Sequence, residues 1–303
     1  MKYSLALHFV ACVTSSLLIS AAPAKRGVSD PQVLNFALTL EHLEATFYKQ
    51  GLDKFSADAF KAAGFSDWVR NRFEQIQAHE AEHVTFLSTA LKSAGADAVA
   101  PCEYNFPMPD VHSFIATSMI LEAVGSAAYT GGAQLISNKD YLTAAASILT
   151  VEGRHTAWIN SAINKFSAWD TSFQTALNPN QIFTLASGFI TSCPDSNAAA
   201  LPPLKAYPAL AVSPDAHPGK PTTLTFAAPT SYSTEKLFAA FISGIGAPIF
   251  VPVEKDNEVT VPDGLLGVVF CVITKDGEKV DDSTMVAGPA ILNFQFDSMG
   301  NVA

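Results

Sequence analysis

The chain has 303 residues, 49% hydrophobic and 15% charged, which leaves ample material for a packed core and argues against disorder. Its formal charge is −10, and residues 1–26 hold three basic and no acidic side chains, so a chain starting at Gly27 keeps 15 basic against 28 acidic residues. That excess of negative charge disfavours nucleic acid and anionic membranes as partners.

Residues 1–26 open with Lys2, run through an apolar stretch from Leu5 to Ile19 and end in Ala22-Pro23-Ala24 followed by Lys25-Arg26. This reads as a secretory signal peptide with a dibasic processing site, so an extracellular or cell-wall location is expected. The apolar stretch is short for a membrane span and no later run reads as one, so no span is expected. No Asn-x-Ser/Thr triplet occurs, so N-glycosylation is not expected.

Residues 27–200 read as a helical bundle. Asp30-Pro31 opens a first helix to about Gln50, with Leu34, Leu38, Glu41, Ala45 and Tyr48 on one face. A short helical insertion around Ala57–Ala63 follows. Ser66 or Asp67 then caps a second long helix ending near Gly95, whose stripe is Phe73, Ile76, Glu80, His83, Leu87 and Ala90. The Pro-containing segment from Ala100 to Pro109 is long enough to cross between the ends of a bundle.

Asp110 caps the third helix, with Ile115, Met119, Glu122, Ser126, Tyr129, Ala133 and Ile136 in line. After a turn at 138–140 the fourth presents Ala145, Ile148, Glu152, His155, Ile159, Ala162 and Phe166. A fifth helix, from Pro179 to Thr191, is apolar nearly all round and is expected to pack across the bundle. Cys102 and Cys193 lie beside prolines in loop-like sequence, and a disulfide between them is expected in an oxidising compartment; Cys271 reads as a lone buried thiol.

Residues 201–221 read as a Pro-rich linker and 222–303 as a β-sandwich, which makes the whole an α+β multidomain chain. Its candidate strands are Thr222–Phe226, Leu237–Ile242, Ile249–Val253, Val259–Val261, Leu266–Thr274, Glu278–Val280 and Ile291–Phe296, with Asp276-Gly277 as a hairpin turn. No chemical constellation stands out there, so packing, or contact with a cell-wall or protein partner, is the expected role.

The chemistry lies in a repeat. Leu40-Glu41 followed by Tyr48 matches Leu121-Glu122 followed by Tyr129, and each is followed by a Glu-x-x-His pair, Glu80/His83 and Glu152/His155. One such pair alone would be weak. Two helical hairpins with the same pattern, packed about a pseudo-twofold, would face their half-sites toward each other. Buried carboxylates need a compensating cation, and the only nearby basic residue, Arg154, lies about 200° around the helix from Glu152. Two divalent ions, each taking one imidazole, one terminal Glu and shared bridging Glu, would supply the balance.

Glu44, about 60° around the helix from Glu41, is a possible additional ligand or a solvated boundary residue. His42, His79 and Glu82 neighbour ligands but are expected to point elsewhere, at the surface. Tyr48 and Tyr129 either fill core space or hydrogen-bond a ligand carboxylate. Trp68, Trp158 and Trp169 read as packing.

Glu41-x6-Tyr48, Glu80-x-x-His83, Glu122-x6-Tyr129 and Glu152-x-x-His155 together resemble the ligand pattern of ferritin-like carboxylate-bridged dimetal proteins, a group that includes rubrerythrins, bacterioferritins and manganese catalases. The run from Asn35 to Tyr48, with Glu82-His83-Val84-Thr85-Phe86-Leu87, more narrowly resembles secreted fungal ferritin-like proteins known by stress response or late sexual development, and plant desiccation-related proteins. The likeness covers about residues 30–195 and implies a ferritin-like four-helix bundle with a fifth helix, holding two iron or two manganese ions on those six residues.

It also implies redox chemistry on peroxide or dioxygen, of catalase, peroxidase or ferroxidase type. This chain departs from storage and rubredoxin-bearing relatives in lacking a Cys-x-x-Cys module and in adding a β-region, which disfavours an iron-storing shell. The alternative function is a non-enzymatic secreted metal-binding or cell-wall and host-interaction protein with a structural metal; a metal-free descendant is a third.

Overall fold

The computed structural model describes residues 27–227 and 236–302, so the expected signal segment and processing site lie outside the described residues. Helix α1 (Asp30–Lys54) begins where Ser29 and Gln32 form a reciprocal cap, the Gln32 side chain accepting the Ser29 N–H at 3.0 Å. After the short α2 (Ala57–Ala62), α3 (Asp67–Ser93) packs along α1. Helix α4 (Val111–Gly132) is capped by Asp110, which accepts the Ser113 N–H at 2.7 Å, and α5 (Lys139–Trp158) by Asn138. These last two pack together, and α1 lies against α4, which completes the four-helix bundle.

Among the described residues, α4 with its 3-10 extension to Leu135 is the one helix long and apolar enough to cross a membrane, against the expectation that no such run exists. Its apolarity has another cause here. Much of it is buried, from Phe114 through Ala127, because it is the central helix of the bundle.

The segment between α3 and α4 contains strand β1 (Glu103–Tyr104), paired antiparallel with β2 (Ile190–Ser192), a small ladder that helical periodicity did not reveal. The Cys102–Cys193 disulfide closes its end. Helix α5 passes through a π-turn at Ile159–Ile163, and Lys165 takes a left-handed φ of 62°. That ends the 3.6 repeat, so Phe166, expected on the buried stripe, is 47% exposed. Helix α6 (Pro179–Ser187) stops short of Thr191 and sits between α4 and the C-terminal sheet, with Ile182 and Ala186 buried; α7 (Asp195–Ala200) follows.

Among the described residues, seven strands form the C-terminal region. β3 (Leu210–Val212), β4 (Pro221–Phe226) and β7 (Glu258–Thr260) make one antiparallel sheet in the order β3-β4-β7. β5 (Phe238–Ile242), β6 (Ile249–Pro252), β8 (Gly267–Thr274) and β9 (Met285–Phe294) make the other, in the order β6-β5-β8-β9. The larger sheet is covered on both faces, and period-two alternation divides its side chains. Val269, Cys271 and Ile273 of β8 join Leu224 and Val259 of the smaller sheet in one core, while Val268, Phe270 and Val272 join the core of the bundle. This explains why every residue of β8 is buried. Cys271 is a free, buried thiol, as expected.

Two strand expectations change. Leu210–Val212, inside the Pro-rich segment, is a strand. Glu278–Val280 is not, because Asp276 accepts the N–H groups of Glu278 and Lys279 at 2.8 and 3.1 Å, and Asp281 accepts that of Ser283 at 2.8 Å. These turns consume the backbone donors a ladder would need, and β9 then starts at Met285 rather than Ile291.

Candidate metal centre

All six residues of the repeated motif meet at the middle of the bundle. Glu41 comes from α1, Glu80 and His83 from α3, Glu122 from α4, and Glu152 and His155 from α5. Glu41, Glu80, His83 and Glu152 each offer a donor atom within 4.8 Å of the others, and so do Glu80, Glu122, Glu152 and His155. Glu80 and Glu152 belong to both sets, which is the arrangement two ions sharing bridging carboxylates require. His83 and Glu41 complete one half, His155 and Glu122 the other.

The four motif glutamates are fully buried and His155 nearly so; His83 is half-buried. His83 Nδ1 lies 3.0 Å from Glu80 Oε2 and 3.2 Å from Glu41 Oε2, and His155 Nδ1 lies 3.1 Å from Glu122 Oε2 and 3.3 Å from Glu80 Oε1. The tyrosines cross between hairpins. Tyr48 of α1 donates to Glu122 of α4, and Tyr129 of α4 donates to Glu41 of α1. Of the two readings open for these tyrosines, the structure selects the hydrogen bond to a carboxylate.

Burial and mutual repulsion dominate the electrostatics that these side chains set among themselves. Burial first, then the charges of Glu80, Glu44, Glu122 and Glu41, hold the Glu152 carboxyl well above the usual carboxylate range. Burial also lifts Glu41 to about 7 against the opposing hydrogen bond from His83. Glu80 is the exception: burial pushes it up, yet the hydrogen bonds and charges of His155 and His83 bring it down to about 2. Burial lowers the two imidazoles, and the carboxylates around them outweigh it, so His83 rises to about 10 and His155 to about 9.

Donor chemistry and hydrogen bonding both fit metal ions. The basic side chains paired with these carboxylates, among the described residues, are the two histidines alone, and Arg154 is exposed as expected. Both oxygens of Glu152 are buried with no hydrogen-bond partner, and Oε1 of Glu80, the other shared carboxylate, has only the 3.3 Å approach of His155 Nδ1. Unpartnered buried carboxylate oxygens are costly, and a multivalent cation is the group that removes the cost.

Two neighbours, Glu44 and His42, are not at the surface, and a third, His79, is exposed as expected but turned towards the centre. Glu44 is 4% exposed, and its carboxyl, pushed well up by burial and by Glu41, Glu80 and Glu122, stands beside the centre. His79 is exposed, but it does not point away: its ring stacks on His155, with Nδ1 3.0 Å from His155 Nε2. His42 is half-buried and turns to the Val99 carbonyl at 3.2 Å. Glu82 is exposed, as expected.

A bundle of this form with this Glu/His set defines the ferritin-like class, and sequence comparison agrees. Residues 29–165 match the family model described as "Ferritin-like domain", which supports the kinship of this helical region with the ferritin-like superfamily. The chain is similar to Protein rds1 of Schizosaccharomyces pombe, 27% identical over an alignment of 227 residues that covers 71% of this chain and 54% of that protein, so it spans about half the length of this fungal relative. Among solved structures it is similar to a conserved hypothetical protein, rv2844, from Mycobacterium tuberculosis, at 17% identity and a TM-score of 0.38, covering 46% of this chain and 92% of that one.

Proposed function

We propose that this chain is a secreted dimetal protein that carries out redox chemistry on peroxide or dioxygen. The observation that carries the reading is the pair of half-sites sharing buried Glu80 and Glu152, with both Glu152 oxygens lacking a hydrogen-bond partner among the described residues. Iron or manganese, when bound there, supplies two-electron exchange with peroxide or dioxygen without release of a radical.

The protein's own part is positional. His83 and Glu41 hold one side, His155 and Glu122 the other, and Tyr48 and Tyr129 fix the terminal carboxylates by hydrogen bonds from the opposite hairpin. His79 accepts or donates at the outer nitrogen of His155 and so sets that ring's orientation. The surrounding apolar core, with Phe73, Phe114 and Ile159 fully buried, excludes bulk water and competing reactions. The Cys102–Cys193 disulfide is compatible with an extracellular location.

Purified native protein tests the proposal through metal analysis by mass spectrometry and oxygen release from added peroxide. About two iron or manganese ions per chain with turnover is the expected result. A filled site that leaves peroxide and dioxygen untouched would refute the enzymatic reading, and loss of folding on chelation would then assign the metal a structural role.

A further inference from the structure

The repeat that builds the metal centre is broken at one place with a spatial consequence. Glu44 is three residues beyond Glu41, and the matching position beyond Glu122 is Gly125. A Cβ on Gly125 would stand 2.6 Å from Glu152 Oε2 and 3.0 Å from Glu44 Oε1, so the missing side chain is what admits the Glu44 carboxyl alongside Glu152. Glu44 makes no side-chain hydrogen bond among the described residues, although it is buried.

Glu44 and Gly125 also line a cavity of 210 Å³. The remaining walls are almost wholly apolar and come from three parts of the fold: Leu43 of α1 and Val124 of α4 from the bundle, Ala186 of α6 and Phe189 just beyond it, and Ile291 of β9 from the sandwich. Gly188, also on the lining, is exposed and marks the mouth. An apolar cavity of on the order of 150 Å³ suffices to hold benzene and stays free of water. This one is larger, and its single ionisable lining group is a carboxyl with unused hydrogen-bonding capacity.

We propose that this cavity binds a small organic molecule with an apolar body and one hydroxyl head, the hydroxyl hydrogen-bonding Glu44 and the body filling the space between Leu43, Val124, Ala186, Phe189 and Ile291. The site is asymmetric, present on the Glu44 side of the repeat alone. It gives the β-region a part in the site, since Ile291 closes one wall. This binding goes beyond the metal reading and does not depend on it.

Isothermal titration of the purified full chain with benzyl alcohol, and with glycerol as a polar control, tests it, with the metal content of the same sample recorded separately. Saturable binding of benzyl alcohol and none of glycerol is expected. Ala186→Leu, which fills the cavity, is expected to weaken benzyl alcohol at least about tenfold, and Glu44→Leu to abolish the preference for benzyl alcohol over toluene. Xenon located crystallographically in the unaltered protein needs no substitution, and a xenon atom between Val124 and Ile291 is expected. Absence of xenon there, absence of saturable benzyl alcohol binding, or binding unchanged in Ala186→Leu would each overturn the proposal whatever metal the sample holds.

Discussion

Gly125→Ala isolates the metal centre from the fold. In α4 the change replaces the poorer helix former by the better, a gain of about 1 kcal/mol. Its new methyl group would lie 2.6 Å from Glu152 Oε2, where ordinary contact begins near 3.4 Å, so the carboxylate must retreat by several tenths of an ångström in a fully buried site. Such crowding costs about 1–3 kcal/mol, so net stability should fall by about 0–2 kcal/mol, a small change for a chain of this size. Displacing a shared carboxylate has a larger effect on the ions, and affinity should drop by about 10–100-fold.

The assay is competition against a chelator of known affinity, with thermal unfolding in parallel. Gly153→Ala is the matched control: it neighbours Glu152 in α5, and a Cβ there meets nothing within 4 Å. This control should gain about 1 kcal/mol, or roughly 2–4 °C in Tm, with metal affinity unchanged. If folded Gly125→Ala held metal as tightly as the parent, Glu152 would not be a ligand and the shared-carboxylate arrangement would fall.

Tyr48→Phe should weaken the Glu122/His155 half and Tyr129→Phe the Glu41/His83 half, each by about 10–100-fold, visible as loss of one of two steps in a metal titration. Equal damage to both steps by either variant would contradict the crossed hydrogen bonds. In the metal-depleted chain Glu41, His83 and His155 all have folded pKa values above their ordinary ones, so the folded state holds extra protons, and stability should fall as pH rises from about 4.5 towards 10. Metal binding needs those protons removed, so the Tm difference between loaded and depleted protein should widen from pH 5 to pH 8; a narrowing would oppose the ligand assignment. Cys102→Ser with Cys193→Ser opens a loop of sequence separation 91 and should cost about 2–5 kcal/mol in denaturant unfolding, with metal stoichiometry retained.

The helices and the six-residue cluster were legible because two periodicities coincide: an apolar stripe at 3.6 residues marks the buried face, and the glutamates and histidines lie within that stripe. The crossed partners were not. A tyrosine two turns from Glu41 on one helix gives no sign that it reaches Glu122 on another. His79, about 100° from Glu80, falls off the stripe, but α5 packs on that side and brings His155 to it. For Glu44 the signal in the sequence is the glycine, Gly125, at the matching position of the second repeat. In the β-region, a three-residue run such as Glu278–Val280 carries too little alternation to distinguish a strand from Asp-stapled turns, and Trp169, 71% exposed, shows that aromatic character alone does not assign a residue to the core.

The two halves of the centre are similar in sequence but not equivalent, and the differences fall on opposite flanks of the pair. Glu44 faces Gly125, which adds a fifth buried carboxyl beside Glu152 and opens onto the apolar cavity. His79 corresponds to Val151 in the second hairpin, so His155 has a partner at its outer nitrogen, while His83 faces partly open space at 11% side-chain exposure. A duplicated hairpin supplies the symmetric requirement, four carboxylates and two imidazoles around two positions. The departures from the repeat distinguish the sides of the centre: the His83 side chain is 11% exposed, Glu44 lines the apolar cavity, and the His79 ring stacks on His155.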